Sequence, residues 1–261
     1  MKSQETLPKP LVEAIFEVRW QLAQAKTGLP YDPHFKFLLG KFFDSVKGAY
    51  PEHEQLPTAS IPDEMVGQNV QHRFRATKNG WPLLQIGPGI MSVNETEGYQ
   101  PDDFKARCQA AMQALYAAHP AAAELKPQVL TLLYIDAEPF AEGDADRLGF
   151  LKQKLGVGLS LPPSLFPNGT TPNPIGLDLR AAFRASDPGG EVSVRITLGK
   201  KDGRDALLWH TFFRSAGKDD LPELPGGFPS WLDRAHTHMH NWFMAMIKGE
   251  NGDLKRKYFG E

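Results

Sequence analysis

Three histidines occupy alternate positions near the end of the chain, at His236, His238 and His240, and Asp233 precedes them. On a helix His236 and His240 lie one turn apart on the same side, whereas His238 points elsewhere. Together with Asp233, the two imidazoles are ligands of the kind that zinc or a non-haem metal takes. No third and fourth ligands are evident, so we expect no metal and no cofactor. Asp233, His236 and His240 are instead predicted to form a polar cluster at the rim of the core.

Arginine side chains recur on the predicted outer face of neighbouring strands. Alternation places Arg180 and Arg184 on one side of a strand, Arg195 on the corresponding side of the next, and His210 with Arg214 on one face of a third. Such a face can bind phosphate or carboxylate groups bidentately, or single-stranded nucleic acid. The alternative is a solvated face with cross-strand pairs to carboxylates. The slightly acidic overall charge favours this alternative, so nucleic acid is not the expected partner.

The signatures of the common enzyme classes are missing from the sequence. There is no Gly-x-Ser-x-Gly nucleophile elbow and no phosphate-binding loop ending in Gly-Lys-Ser/Thr. There is also no Gly-x-Gly-x-x-Gly between a strand and a helix. Hydrolases and nucleotide-dependent enzymes of the familiar kinds are therefore not expected.

Composition describes an ordinary globular chain. Of the 261 residues 41% are hydrophobic and 23% charged, and the formal net charge is -2. Cys108 is the only cysteine, which excludes an intrachain disulfide and fits a reducing compartment. Met1 to Pro10 contains no apolar stretch typical of a signal peptide, and Val129 to Ile135 is too short for the roughly 20 residues of a spanning helix. We expect a cytoplasmic protein that does not enter the membrane.

In the first half of the chain, hydrophobic periodicity predicts strands and helices in alternation. Apolar residues recur with period two in Leu11–Trp20 and at helical spacing in Phe35–Ala49. Because proline has no amide proton to donate, Gly87-Pro88-Gly89 predicts a bulge or an edge position within one strand. The predicted elements are a strand over Leu11–Trp20, a helix over Phe35–Ala49, a loop from Pro51 to Asn69, a hairpin over Val70–Ile86 around Asn79-Gly80, and a helix over Pro101–Ala118.

The second half predicts a similar order of elements, although the residues themselves show no clear similarity. A proline-rich loop over Leu161–Pro174 interrupts it, and a short basic tail follows the last helix. The predicted elements are strands over Val129–Ala137, Leu177–Ala185, Val192–Leu198 and Ala206–Arg214, a short helix over Asp146–Leu155, and a long helix over Ser230–Lys248.

These patterns predict an α+β fold. Each half consists of a strand, a helix, two or three strands and a second helix, which indicates antiparallel sheet with helices packed on one face. The predicted division is an N-terminal half at 1–125 and a C-terminal half at 126–261. The two halves either share one continuous sheet or form separate domains.

Two segments together resemble a known family. Leu7 to Trp20, with its prolines followed by Val-Glu-Ala-Ile-Phe-Glu-Val-Arg-Trp, resembles the opening strand of a sporadically distributed bacterial family of about this length and of unknown function. Leu232 to Phe243 is similar to the family's LDxxH…F helix, and Gln85 to Asn94 to its QLGP…SLN stretch. Ile247-Lys248-Gly249 departs from the Ile-Thr pair expected there. The resemblance implies one coherent fold and supplies no catalytic residue.

The function expected first is a non-enzymatic binding or protein-interaction module of a bacterial cytoplasmic system, which contacts a protein partner or a second copy of the chain. Its contact surfaces would be the proline-rich loop and the arginine-bearing sheet face. One alternative is an enzyme of an unfamiliar type, with its site near His236 and Asp233. The other is nucleic-acid or anion binding through Arg180, Arg184 and Arg195.

Overall fold

A computed structural model describes residues 9–260 of the chain, apart from 97, 142–145 and 168. The first eight residues, which begin the family-like segment, and Asn168 of the proline-rich loop lie outside the described residues. The helices are α1 (Phe35–Val46), α2 (Asp63–Val66), α3 (Pro101–Ala118), α4 (Arg147–Leu155), α5 (Phe228–Lys248) and α6 (Asp253–Phe259). None of the described helices combines the length and the apolar character that a membrane crossing requires.

The strands of the first half are β1 (Leu11–Trp20), β2 (Ala23–Gln24), β3 (Pro30–Tyr31), β4 (Glu52–Gln55), β5 (His72–Arg75), β6 (Leu83–Gly87) and β7 (Ile90–Glu95). Those of the second half are β8 (Pro127–Pro139), β9 (Asp178–Ser186), β10 (Gly189–Lys201) and β11 (Arg204–Ala216). Within the described residues, nine of these strands form one antiparallel sheet in the order β4-β5-β6-β7-β1-β8-β11-β10-β9, and β2 pairs with β3 separately.

The two halves meet in the middle of this sheet, where β1 pairs with β8. Phe16 on β1 lies opposite Val93 of β7 on one side and Leu132 of β8 on the other. The two halves therefore share one continuous sheet, which is one of the two arrangements that the sequence left open. The division into a half at 1–125 and a half at 126–261 stays a prediction.

One face of the sheet is covered by helices, which confirms the predicted α+β fold. Alternation along β1 buries Ala14, Phe16, Val18 and Trp20 on that face. Phe42 of α1, Leu115 of α3 and Trp231 of α5 are buried in the same apolar core. A smaller core lies towards the end of the second half, around Trp209 of β11 and residues of α4, α5 and α6.

Three local expectations are wrong. Gly87-Pro88-Gly89 is not a bulge within one strand: Gly87 pairs with Ile90, so Pro88-Gly89 is the tight turn that joins β6 to β7. The segment predicted as a loop after Pro51 contains the edge strand β4, whose four residues are all exposed and therefore show no apolar alternation. The basic tail contains α6, whose Leu254 and Tyr258 are buried in the smaller core.

Candidate functional site

A cleft of about 490 Å³ lies between the covered face of the sheet and helices α5 and α6. Its polar lining comes from the sheet, from α5 and from the segment before α3, and consists of Tyr99, Tyr134, Asp136, Thr211, His236 and His240. Its apolar walls include Pro10, Leu11, Pro101, Met239, Phe243 and Phe259. Lys9 and Tyr258 complete the lining. The cleft thus combines a largely apolar surface with a few convergent polar groups.

Period-two alternation on β8 and helical spacing on α5 direct these side chains into the cleft. Tyr134 and Asp136 are two residues apart on β8, so both face the helices, and Thr211 of β11 lies directly opposite Tyr134. On α5, His236 and His240 are one turn apart and share a side with Met239. Two strands and one helix, together with Tyr99 from the segment before α3, therefore build the polar part of the site.

Asp136 is the most unusual group in the cleft. Its residue is only 2% exposed, and its Oδ2 has no hydrogen-bond partner among the described residues. Burial raises the pKa of Asp136 to about 8, a rise that the nearby Lys201 only partly opposes. The neutral carboxylic acid is therefore the main form at pH 7. Among the described residues, Trp209 Nε1 and His210 Nε2 are also buried without a partner, but of these three atoms only Asp136 Oδ2 belongs to a residue that lines the cleft.

Lys201 does not pair with Asp136 in spite of its position. Its Nζ is directed at the backbone carbonyl oxygens of Pro10 and Ala137, each 3.4 Å away, and of Lys9, at 3.5 Å. Burial lowers the pKa of Lys201, with acidic neighbours acting in the opposite direction. The amine thus binds backbone oxygens at the start of β1 and in β8, and Asp136 Oδ2 has no hydrogen-bond partner among the described residues.

A hydrogen-bonded chain of two phenols and an imidazole runs along another side of the cleft. Tyr99 donates its hydroxyl proton to Tyr134 Oη at 3.2 Å, and Tyr134 Oη lies 2.8 Å from His236 Nδ1. Since Tyr134 accepts from Tyr99, its own proton is available for His236 Nδ1. Burial raises the pKa of both phenols and is the largest cause lowering the pKa of His236, with Lys105 and His240 adding to it. His236 is then a neutral imidazole with its proton on Nε2.

Helix α6 forms one end of the cleft and is fastened to β8. Lys257 Nζ lies 2.7 Å from Glu138 Oε1, and the Tyr258 hydroxyl donates to Glu138 Oε2. Glu138 lies two residues after Asp136 on β8. The two neighbouring acids therefore differ, because Glu138 has partners for both of its oxygens.

The predicted polar cluster is divided by the structure. His236 and His240 line the cleft, but Asp233 does not: its Oδ1 lies 3.0 Å from Lys105 Nζ of α3. Asp233 borders a separate surface hollow of about 310 Å³ together with Asp187 and Arg234. His238 faces away from His236 and contacts the ring of Phe213. Among the described residues, no group of three histidine, cysteine, aspartate or glutamate side chains is placed to hold a metal ion.

The arginines lie together on the open face of the sheet, opposite the cleft. Arg180 and Arg195 are direct cross-strand partners, and Arg195 lies opposite His210. Glu191 of β10 lies opposite Arg184 of β9 on one side and opposite Arg214 of β11 on the other. The shared face is thus the one that alternation predicts.

Carboxylates already occupy three of these guanidinium groups. Arg184 donates twice to Asp220, at 2.7 and 2.5 Å, and Arg195 donates twice to Asp178, at 2.9 and 2.6 Å. Arg180 lies 3.9 Å from Glu191. Anion binding by this face, including His210 and Arg214, stays a prediction, and an incoming phosphate would have to displace the protein's own acids.

Sequence reasoning missed Asp136, Tyr134 and Thr211. Asp136 directly follows the predominantly apolar run Val129–Ile135 within β8. It also falls on the same side as Leu130 and Leu132, both of which are completely buried. An acid at a buried alternation position was the signal that could have identified the site.

No protein-family model matches this chain, and no curated protein matches it. The resemblance of its first strand and last long helix to an uncharacterised bacterial family stays a prediction.

Proposed function

We propose that this protein binds a small organic molecule in the cleft between α5 and the sheet. The observation that carries the proposal is the Asp136 carboxyl, which is buried in the lining of that cleft with Oδ2 unpaired. The volume of about 490 Å³ falls within the range of small-molecule sites. The ligand has an apolar body for the walls and a hydrogen-bonding head group for Asp136 and its neighbours.

Catalysis in the same cleft is the second candidate function. It is favoured by the Tyr99–Tyr134–His236 chain, because a neutral imidazole with its proton on Nε2 can donate a hydrogen bond to a carbonyl or oxyanion of a bound molecule. Asp136, whose pKa of about 8 lies close to neutrality, can exchange a proton with a bound molecule. This enzyme would use His236 and Asp136, and not Asp233 as the sequence suggested.

Protein interaction is a further proposal, and the proline-rich loop supports it. Leu161 and Leu165 of this loop expose large apolar side chains, and Ile175, directly after it, is fully exposed. Exposed apolar residues that occur together indicate contact with another surface, either of a protein partner or of a second copy of the chain. A cytoplasmic location fits the single cysteine, which is buried. A bacterial origin rests on the family resemblance alone.

Ligand binding can be tested with matched aromatic probes. We would measure thermal stability and chemical shifts with phenethylamine, phenethyl alcohol and phenylacetate. At a concentration of about one hundred times Kd, a ligand stabilises the folded protein by about 2.7 kcal/mol. We expect at least one probe to raise Tm and to shift signals of residues that line the cleft.

The control variants lie on one helix. His240 is exposed and lines the cleft, so His240→Trp should obstruct it and abolish binding. Thr237 is exposed on α5 but is not part of the lining, so Thr237→Trp should leave binding intact. A ligand that binds both variants equally well, or the failure of every probe to bind, would contradict the proposal. Chemical conversion of a bound probe would favour the enzyme.

A further inference from the structure

We infer that the head group accepted by the cleft is a protonated amine, which Asp136 binds as its carboxylate with release of one proton. This inference rests on the proposed function, because it names the class of ligand that the same cleft takes. It is carried by the position of Asp136 in the lining and by the aromatic rings around it.

Asp136 is the one acidic side chain among the described residues that line the cleft. An ammonium group that leaves water for an apolar cleft needs an opposite charge and hydrogen-bond acceptors. The unpaired Oδ2 of Asp136 supplies both once the carboxyl has lost its proton. An anionic head group would be accepted only by the protonated carboxyl, so its affinity would fall as the pH rises, which is the opposite of the result expected for an amine.

Aromatic rings form much of the remaining surface. Tyr99, Tyr134, Phe243, Tyr258 and Phe259 all line the cleft. The faces of such rings attract cations, and the attraction is stronger where water is excluded. Rings and one carboxylate together favour an organic cation with an apolar body.

The other charged and titratable groups near Asp136 leave room for a cation. Burial lowers the pKa of His236 on α5, so this imidazole is neutral at pH 7 and does not repel an ammonium group. Lys201 of β10 is directed at backbone carbonyl oxygens, and Glu138 is held by Lys257 and Tyr258 of α6. Lys9 is exposed at the rim and donates to the backbone oxygen of Tyr99, and His240 is exposed on α5.

The proton balance follows from these charges. Before binding, Asp136 is mainly a carboxylic acid at pH 7 and the amine is a cation. After binding, the carboxylate and the ammonium group form a pair, and the proton from Asp136 passes to solvent. With the pKa of Asp136 at about 8, the ionised fraction rises about fiftyfold between pH 6 and pH 8, and the affinity for the amine rises with it.

The test is isothermal titration calorimetry with phenethylamine and phenethyl alcohol at pH 6 and pH 8, in buffers of different ionisation enthalpy. We expect phenethylamine to bind about fiftyfold more tightly at pH 8, with uptake of close to one proton by the buffer at pH 6. Phenethyl alcohol, which has no charge, should bind with little dependence on pH over this range.

Two variants give the matched comparison. Asp136→Asn keeps the shape of the neutral acid, so it should fold but lose both the preference for the amine and the proton release. Glu95→Gln replaces a buried acid outside the cleft and should leave both unchanged. The inference is overturned if the amine binds no better than the alcohol, if its affinity does not change with pH, or if Asp136→Asn binds it equally well. Binding of the alcohol alone would overturn the inference and keep the proposed function, whereas the absence of any binding would overturn both.

Discussion

Glu95 on β7 and Asp136 on β8 are buried acids in the two halves of one sheet, and their surroundings differ. Each residue is 2% exposed, and burial is the largest cause raising the pKa of both. Arg107 of α3 donates to Glu95 Oε2 at 2.8 Å and opposes the rise there. Asp136 Oδ2 has no such partner among the described residues. Both acids are thus buried. The missing partner distinguishes Asp136, a candidate binding group, from Glu95, which is part of a structural ion pair.

The helices above the two acids explain this difference. Helix α3 fills its interface with the sheet, because Phe104, Cys108 and Met112 are buried in the main core. Helix α5 packs tightly against the sheet where Trp231, Leu232 and Ala235 are buried in the same core. Further along, His236 and His240 border the cleft. One helix therefore serves both the core and the site.

The largest expected effect contrasts a filled interface with an open one. Phe104→Ala on α3 should destabilise the protein by about 3–5 kcal/mol, because Phe104 is completely buried and its removal leaves a cavity. Phe243→Ala, in the wall of the cleft, should cost only about 1–2 kcal/mol since Phe243 is partly exposed. Urea denaturation of both variants gives the two values. Equal losses would show that the cleft is packed as tightly as the core.

A somewhat smaller effect is expected from the two acids themselves. Arg107→Ala leaves Glu95 buried without its partner and should cost about 3 kcal/mol, the low end for a broken buried pair because Arg107 is partly exposed. Asp136→Asn should instead raise the free energy of unfolding at pH 7, since the amide keeps the shape of the neutral acid whereas the wild-type carboxyl must take up a proton on folding. Denaturation midpoints at pH 7 test both. A large loss in Asp136→Asn would mean that Asp136 has a structural partner.

The smallest expected effect is the change of stability with pH. The pKa of Asp136 is raised on folding, so the folded state holds the proton more tightly than the unfolded state. Its contribution to stability is therefore complete below the unfolded pKa of about 4 and is lost as the pH rises towards 8. Relative to Asp136→Asn, the wild type should lose about 1 kcal/mol between pH 6 and pH 7.

Denaturation of the two proteins side by side at these pH values isolates Asp136 from the histidines. Burial lowers the pKa of His72 and His119, and these groups titrate in the same way in both proteins. Parallel curves for the wild type and Asp136→Asn would show that Asp136 is ionised in the folded protein. Bound phenethylamine should reduce the difference, because it stabilises the carboxylate.

Much of the fold was open to prediction because it depends on local periodicity. Alternating burial along β1 matches the apolar pattern of its sequence, and the apolar stripe of α3 coincides with its buried residues. The shared face of Arg180 and Arg195 follows from the same rule. Strand β4 was missed because its residues are exposed on all sides, so no periodic signal exists there.

The sequence by itself determined most of the segments that become strands and helices, which of their faces are apolar, and that His236 and His240 share one side of a helix. Only the tertiary structure decided that Tyr134 meets His236 across 102 residues and that Lys257 meets Glu138 across 119. It also decided that Glu95 acquires Arg107, while Asp136 Oδ2 acquires no hydrogen-bond partner among the described residues. The physical reason is that periodicity reports which side of an element leaves water, whereas the partner of a buried group depends on which distant elements pack against that side.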